Sequence, residues 1–144
     1  MAVSALLVSF AMWGQSREEV NQFLTNLTGK WGLYEGNWGK GAMDLIILYD
    51  GTDIVFSYPA AIVMENNERN AEYLTKQGHW DDGNKAVVLN YRIQSYYYSD
   101  NSWSDSEYCI SIPYQLLSAD MLTCTVYVKS DSVERTERRI LYKQ

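Results

Sequence analysis

The amino-acid sequence predicts an all-β fold, an eight-stranded antiparallel up-and-down barrel preceded by one short helix. Three observations predict it. From Trp31 to the C-terminus apolar and polar residues alternate with a period of two, while the one clear helical period lies before residue 29. Asp50-Gly51 and Asp82-Gly83 interrupt the alternation between apolar runs, where tight hairpins need positive φ. Aromatic residues make up 14% of the chain, with twelve Tyr and five Trp against only two Pro, a composition suited to half-buried strands. The 144 residues are 47% hydrophobic, enough for one domain with its own core.

The elements follow in order. Residues 2–13 form a nearly uncharged apolar run, too short to span a bilayer and of the length of a signal-peptide core. The reading is a secretory signal over residues 1–15, cleaved near Gly14-Gln15, which would place the protein in the periplasm or outside the cell. No Lys or Arg precedes the run, so a buried N-terminal element or a misassigned start is the alternative. Residues 16–28 read as a helix. Ser16-x-x-Glu19 matches a capping box, Val20, Phe23, Leu24 and Leu27 recur at helical spacing, and Gly29 can end it. Residues 29–144 form the barrel domain, with strands expected at 31–35, 43–49, 53–58, 71–80, 85–98, 103–116, 121–128 and 133–142. Looser links are expected at 36–41, 65–70 and 99–102. Sequential hairpins without a crossover helix imply an antiparallel meander. Eight such strands enclose an interior that side chains fill or that holds one small ligand. A two-sheet sandwich is the alternative.

Parity assigns faces. Val87, Leu89, Tyr91 and Ile93 share one face, opposite Val88, Asn90 and Arg92, and the first set is assigned to the interior. Tyr108, Ile110, Ile112, Tyr114 and Leu116 share a face on the next strand, and Leu122, Cys124, Val126 and Val128 on the one after. Matching these faces pairs Ile110 with Val126 and Ile112 with Cys124. Cys109 and Cys124 then point to opposite sides, which forbids a disulfide between them.

Reaction chemistry is sparse. The net charge of −6 opposes nucleic-acid binding, because each neutralised phosphate needs a Lys or Arg. His79 is the single histidine, and with Asp81 and Asp82 it gives weak metal-ligand spacing, better read as a solvated turn. Residues 100–107 are acidic and Ser-rich but lack the ligand spacing of a calcium loop, so an exposed polar loop is expected. The Gly-rich stretch 36–41 precedes no helix and matches no phosphate-cradling pattern. Asn26-Leu27-Thr28 meets the glycosylation sequon at the helix end. No acid–base pair is evident, so the reading is a non-enzymatic protein with no cofactor and no metal.

Binding-type residues remain. Tyr91, Tyr96, Tyr97, Tyr98, Trp103, Tyr108 and Tyr114 gather on two consecutive strands, and Tyr91, Leu89, Tyr108, Ile110, Tyr114 and Val126 are the candidate ligand contacts. A dense core with Tyr hydroxyls at its rim explains the same residues. Three consecutive tyrosines cannot all face inward, and those outside suit a protein interface. Gly29-Lys30-Trp31 at the mouth of the first strand, with a helix before it and a meander after it, resembles the Gly-x-Trp of lipocalin-like (calycin) barrels and is most similar to small exported bacterial domains of that type. The resemblance implies a barrel whose floor is closed by Gly29 and Trp31, with the Trp covered by an Arg of the last strand, here Arg139. It also implies a small apolar or amphipathic ligand. A protein-interaction or inhibitor module, using a filled barrel as scaffold and Trp38 and Trp103 as contacts, is the alternative. Neither nucleic acid nor a transmembrane span is expected.

Overall fold

The computed structural model of the protein describes residues 17–35, 43–115 and 117–144. The expected signal, Ser16 of the capping box, the 36–41 loop with Trp38, and Leu116 lie outside the described residues.

One helix, α1 (Arg17–Leu27), precedes nine strands: β1 (Gly29–Gly32), β2 (Leu45–Tyr49), β3 (Ile54–Glu65), β4 (Glu68–Gln77), β5 (His79–Asp81), β6 (Ala86–Tyr97), β7 (Ser102–Pro113), β8 (Met121–Ser130) and β9 (Glu134–Lys143). The sheet order is β4-β3-β2-β1-β9-β8-β7-β6-β5, and β3 also pairs with β6. Seven strands thereby close into a barrel, and β4 and β5 flank it. The expectation of eight antiparallel strands needs two corrections. There are nine strands with seven in the ring, and the closing seam is parallel, with Ala61, Ile62, Val63 and Met64 opposite Gln94, Ser95, Tyr96 and Tyr97.

The helix forms where its period predicts. Phe23, Leu24 and Leu27 are buried and Val20 packs against the core, each full burial contributing about 1.5–3 kcal/mol. Phe23 meets the rings of Trp80 and Tyr114 at 6.3 and 5.6 Å, so α1 docks across one end of the barrel. Tyr114 serves this docking, its hydroxyl donating to Glu19 Oε2 at 3.1 Å.

That end is built around Trp31, which has no solvent exposure. Its Nε1 donates to the Leu27 carbonyl at 2.7 Å, satisfying one of the carbonyls the helix leaves open. The cation over the ring is Lys143, 5.4 Å from the centroid, and its Nζ also donates to the Asn26 carbonyl at 3.2 Å. A cation at a helix C-terminus is favoured by the dipole, so one side chain serves two contacts. Arg139, expected in that place, sits opposite Cys124 and pairs with Glu137 at 3.1 Å, its side chain 45% exposed. Glycine is required at position 29 because φ is +146° and a Cβ there would lie 2.7 Å from Lys143 Cε.

Turn chemistry departs from expectation in an instructive way. The two Asp-Gly pairs do make hairpins, but with four-residue loops: Tyr49 pairs with Ile54, and Asp81 with Ala86. The tight two-residue turn is Asn66-Asn67, with φ of 50° and 65°, between the paired Glu65 and Glu68. Accordingly β3 runs on through Pro59 to residue 65, where a strand ending at 58 and a loop at 65–70 were expected. The ladder shifts between Pro59 and Ala61, and such an irregularity is where a strand tolerates Pro. The polar run 100–107 is likewise strand from Ser102 onward, with Asp105 and Glu107 held by Arg92.

The assigned faces hold on β6 and β8. Val87, Leu89, Tyr91, Ile93, Leu122, Cys124, Val126 and Val128 are all buried in one cluster that includes Trp31, Phe56 and Leu141. Ile110 pairs with Val126; the ladder ends at Ser111 opposite Thr125, one position before the expected Ile112–Cys124 pair. Cys109 faces Tyr127 across that ladder, an odd offset from Cys124, and both thiols are free.

Candidate functional site

Three of the six candidate ligand residues, Leu89, Ile110 and Val126, have no solvent exposure and pack side chain against side chain in the core. Tyr114 belongs to the helix contact. The remaining two, Tyr91 and Tyr108, come together. They are direct partners in the β6–β7 ladder and their rings stack at 5.1 Å, 3° from parallel. Tyr58 lies 5.1 Å and Phe56 5.8 Å from the Tyr91 ring, extending an aromatic layer from β3 to β7. Burial pushes the Tyr91 phenol well above its ordinary pKa, and burial pushes Tyr108 up as well, with Arg135 pulling the other way. Both are neutral hydroxyls at physiological pH.

Beside this stack opens a groove of about 370 Å³, lined by Lys76, Asn90, Tyr91, Arg92, Glu107, Tyr108, Cys109 and Tyr127. The β6 residues in it fall between the segments that pair with β5 and with β3, so this stretch of β6 carries a neighbour only on its β7 side among the described residues. Arg92 donates to Asp105 at 3.1 Å and to Glu107 at 2.5 Å, which largely neutralises its charge. The Tyr127 hydroxyl donates to Glu134, and that bond raises its pKa. Burial raises the Cys109 thiol, so it stays protonated and a poor nucleophile at neutral pH. The lining therefore combines aromatic area with amide, hydroxyl and ammonium donors and carries little net charge. Such a set offers both apolar area and hydrogen-bonding groups at one place on the barrel wall.

Two other features stand apart. A second cleft of about 460 Å³ is lined by Leu33, Tyr34, Thr123, Arg138, Arg139, Ile140 and Tyr142, and this is where Arg139 is found. At the tip of the β6–β7 hairpin Trp103 is 71% and Tyr98 51% exposed, braced by Tyr96, whose ring is 4.8 Å from each. The Asp81 carboxylate accepts the Gly83 and Asn84 amides and the Asn84 side chain, so it closes a turn; hydrogen bonding to Asn84 holds its pKa low. Among the described residues no three His, Cys, Asp or Glu side chains are grouped to hold a metal, and no helix is long and apolar enough to cross a membrane.

Parity on β6 identified Tyr91 and set Asn90 and Arg92 on the opposite face, but gave no sign that a groove forms there. Tyr58, Lys76 and Tyr127 were missed because they come from strands remote in sequence. Comparison with known protein families, with curated proteins and with solved structures found no match.

Proposed function

We propose that this protein is a non-catalytic binding module that holds a small amphipathic molecule in the groove beside the Tyr91–Tyr108 stack. The observation that carries this reading is the groove itself: about 370 Å³, within the size range of small-ligand sites, and lined by aromatic and hydrogen-bonding groups. The ligand site moves from the barrel interior, where Leu89, Ile110 and Val126 are fully packed, to its wall. Kinship with lipocalin-like barrels is supported by the helix-capped floor with Gly29, Trp31 and a basic side chain over the ring. The apolar run at residues 2–13 supports a site of action outside the cytoplasm, which a reporter fusion to residues 1–20 would test. The ligand reading is tested by titrating 8-anilinonaphthalene-1-sulfonate and a panel of amphipathic amides, with backbone amide shifts as readout. Shifts centred on residues 90–92, 107–109 and 127, reduced by Asn90→Ala, are expected. Shifts confined to the hairpin tip or to the Arg138–Arg139 cleft would overturn it.

The exposure of Trp103 favours a second reading, in which the hairpin tip contacts a protein partner. Trp103→Ala would then reduce partner binding tenfold or more, about 1.4 kcal/mol, while changing fold stability by less than about 0.5 kcal/mol.

A further inference from the structure

β4 is paired along its length with β3, and no described residue pairs with its other edge. An unpaired edge of ten residues is a template for another strand, and proteins commonly guard such edges with charge. The guard here has a particular arrangement. Asn70, Glu72, Leu74 and Lys76 are exposed and alternate onto one face, with Leu74 50% exposed between a negative and a positive side chain. Neither Glu72 nor Lys76 has an ion-pair partner among the described residues.

Read in the reverse direction, the segment Glu72-Tyr73-Leu74-Thr75-Lys76 is complementary to itself. We propose that β4 is a homodimerisation edge, to which a second copy of this chain adds its own β4 antiparallel with Leu74 on the twofold axis. In that register Leu74 meets the partner's Leu74, and Glu72 meets the partner's Lys76. The twofold repeats the charge contact, so two opposite-charge pairs bracket one apolar pair on the same face. Centring the axis on Glu72 or on Lys76 instead sets like charges against each other. The charges that repel a mismatched strand therefore select this partner in this register. The inference goes beyond the groove reading and shares one residue with it, Lys76, which also lines the groove. The Glu72→Lys reversal and the Leu74→Cys crosslink test the edge at residues outside that lining.

Sedimentation velocity over a range of concentrations, with charge reversals, tests the interface. The wild type is expected to show a monomer–dimer equilibrium. Glu72→Lys and Lys76→Glu should each weaken it by about tenfold, because each turns both attractive pairs repulsive. An equimolar mixture of the two variants re-pairs opposite charges and should restore the dimer. Since Leu74 is exposed, Leu74→Cys tests the axis without disturbing the core: mild oxidation should give an intermolecular disulfide, whereas Asn70→Cys, away from the axis, should not. A wild type that stays monomeric, a dimer indifferent to both reversals, or a mixture no tighter than either variant alone would each overturn the proposal.

Discussion

At Trp31 a single indole joins the helix to the first strand. The ring fills the space below the barrel, Nε1 satisfies the Leu27 carbonyl, and Lys143 lies across the face. Trp31→Phe keeps most of the area but leaves that carbonyl unpaired, so it should cost about 1–3 kcal/mol in urea unfolding. Lys143→Met keeps the aliphatic stem and removes the charge, and should cost about 0.5–2 kcal/mol. Arg139→Met, on the exposed side, should change stability by less than about 0.5 kcal/mol. Equal effects at 139 and 143 would refute the assignment of Lys143. The place of Trp31 was legible through the resemblance of Gly29-Lys30-Trp31 to the Gly-x-Trp of lipocalin-like barrels, which implies a Trp at the floor. Its covering cation was not legible, because position near the chain end ranks Arg139 and Lys143 equally and only the β1–β9 register, Trp31 opposite Lys143, separates them.

Cys124 carries a pH consequence at the same scale. Burial pushes its thiol up to about 12 from an ordinary value near 9. The unfolded chain loses this proton near its ordinary value while the folded chain keeps it. The associated stability is thus fully present below that value and is lost as pH rises toward 12. Neutral-pH labelling with iodoacetamide should leave Cys124 unmodified in the folded protein and modify it readily in urea. Rapid labelling of the folded protein would show that the thiol is accessible.

Among the elements, the β3–β4 hairpin separates what local sequence reveals from what it hides. Alternation from Ile54 to Tyr58 was readable, but Pro59 removes a backbone donor and reads as a strand end. The irregularity next to Pro59 lets the ladder resume, which no local pattern announces. The turn at Asn66-Asn67 was equally hidden, since it lacks the Gly that marks such turns, although Asn tolerates positive φ better than most residues. Asn67→Val should therefore cost about 1–2 kcal/mol, the penalty of a left-handed conformation for a β-branched residue. Asn67→Gly should be neutral or stabilising. A stability for Asn67→Val matching wild type in urea unfolding would mean that this turn does not hold its positive φ in solution.

For the whole molecule, the ring has two short joints. The parallel seam joins β3 to β6 through four residue pairs and β1 joins β9 through two, whereas β6 and β7 share twelve. The joints divide one continuous nine-stranded sheet into an N-terminal half, β1 to β4, and a C-terminal half, β5 to β9, and the closed ring sets aside the two-sheet sandwich alternative. The floor secures one joint, with Lys143 over Trp31 and the Gln144 amide bonded to the Lys30 carbonyl at 2.9 Å. Across the β3–β6 seam the Tyr98 amide bonds the Met64 carbonyl at 3.0 Å, and deeper in the barrel the Tyr58 and Tyr91 rings meet at 5.1 Å. Connectivity along a meander cannot reveal which distant strands meet, and so this feature left no trace in the sequence. Few bonds and an end position place the seam among the first regions to open. Amides of residues 61–64 that bond β6 should exchange faster than those of residues 87–93 in native-state hydrogen exchange. Val63 and Tyr96 are direct partners there, a separation that suits a disulfide. A Val63→Cys/Tyr96→Cys bridge should add up to about 3–4 kcal/mol by constraining the unfolded chain. It should also bring seam exchange down to the rate of the β6–β7 ladder, because opening then requires unfolding of both halves. If the bridge stabilises the protein but leaves fast exchange at the seam, the opening lies elsewhere, and the β1–β9 joint is the one to bridge next.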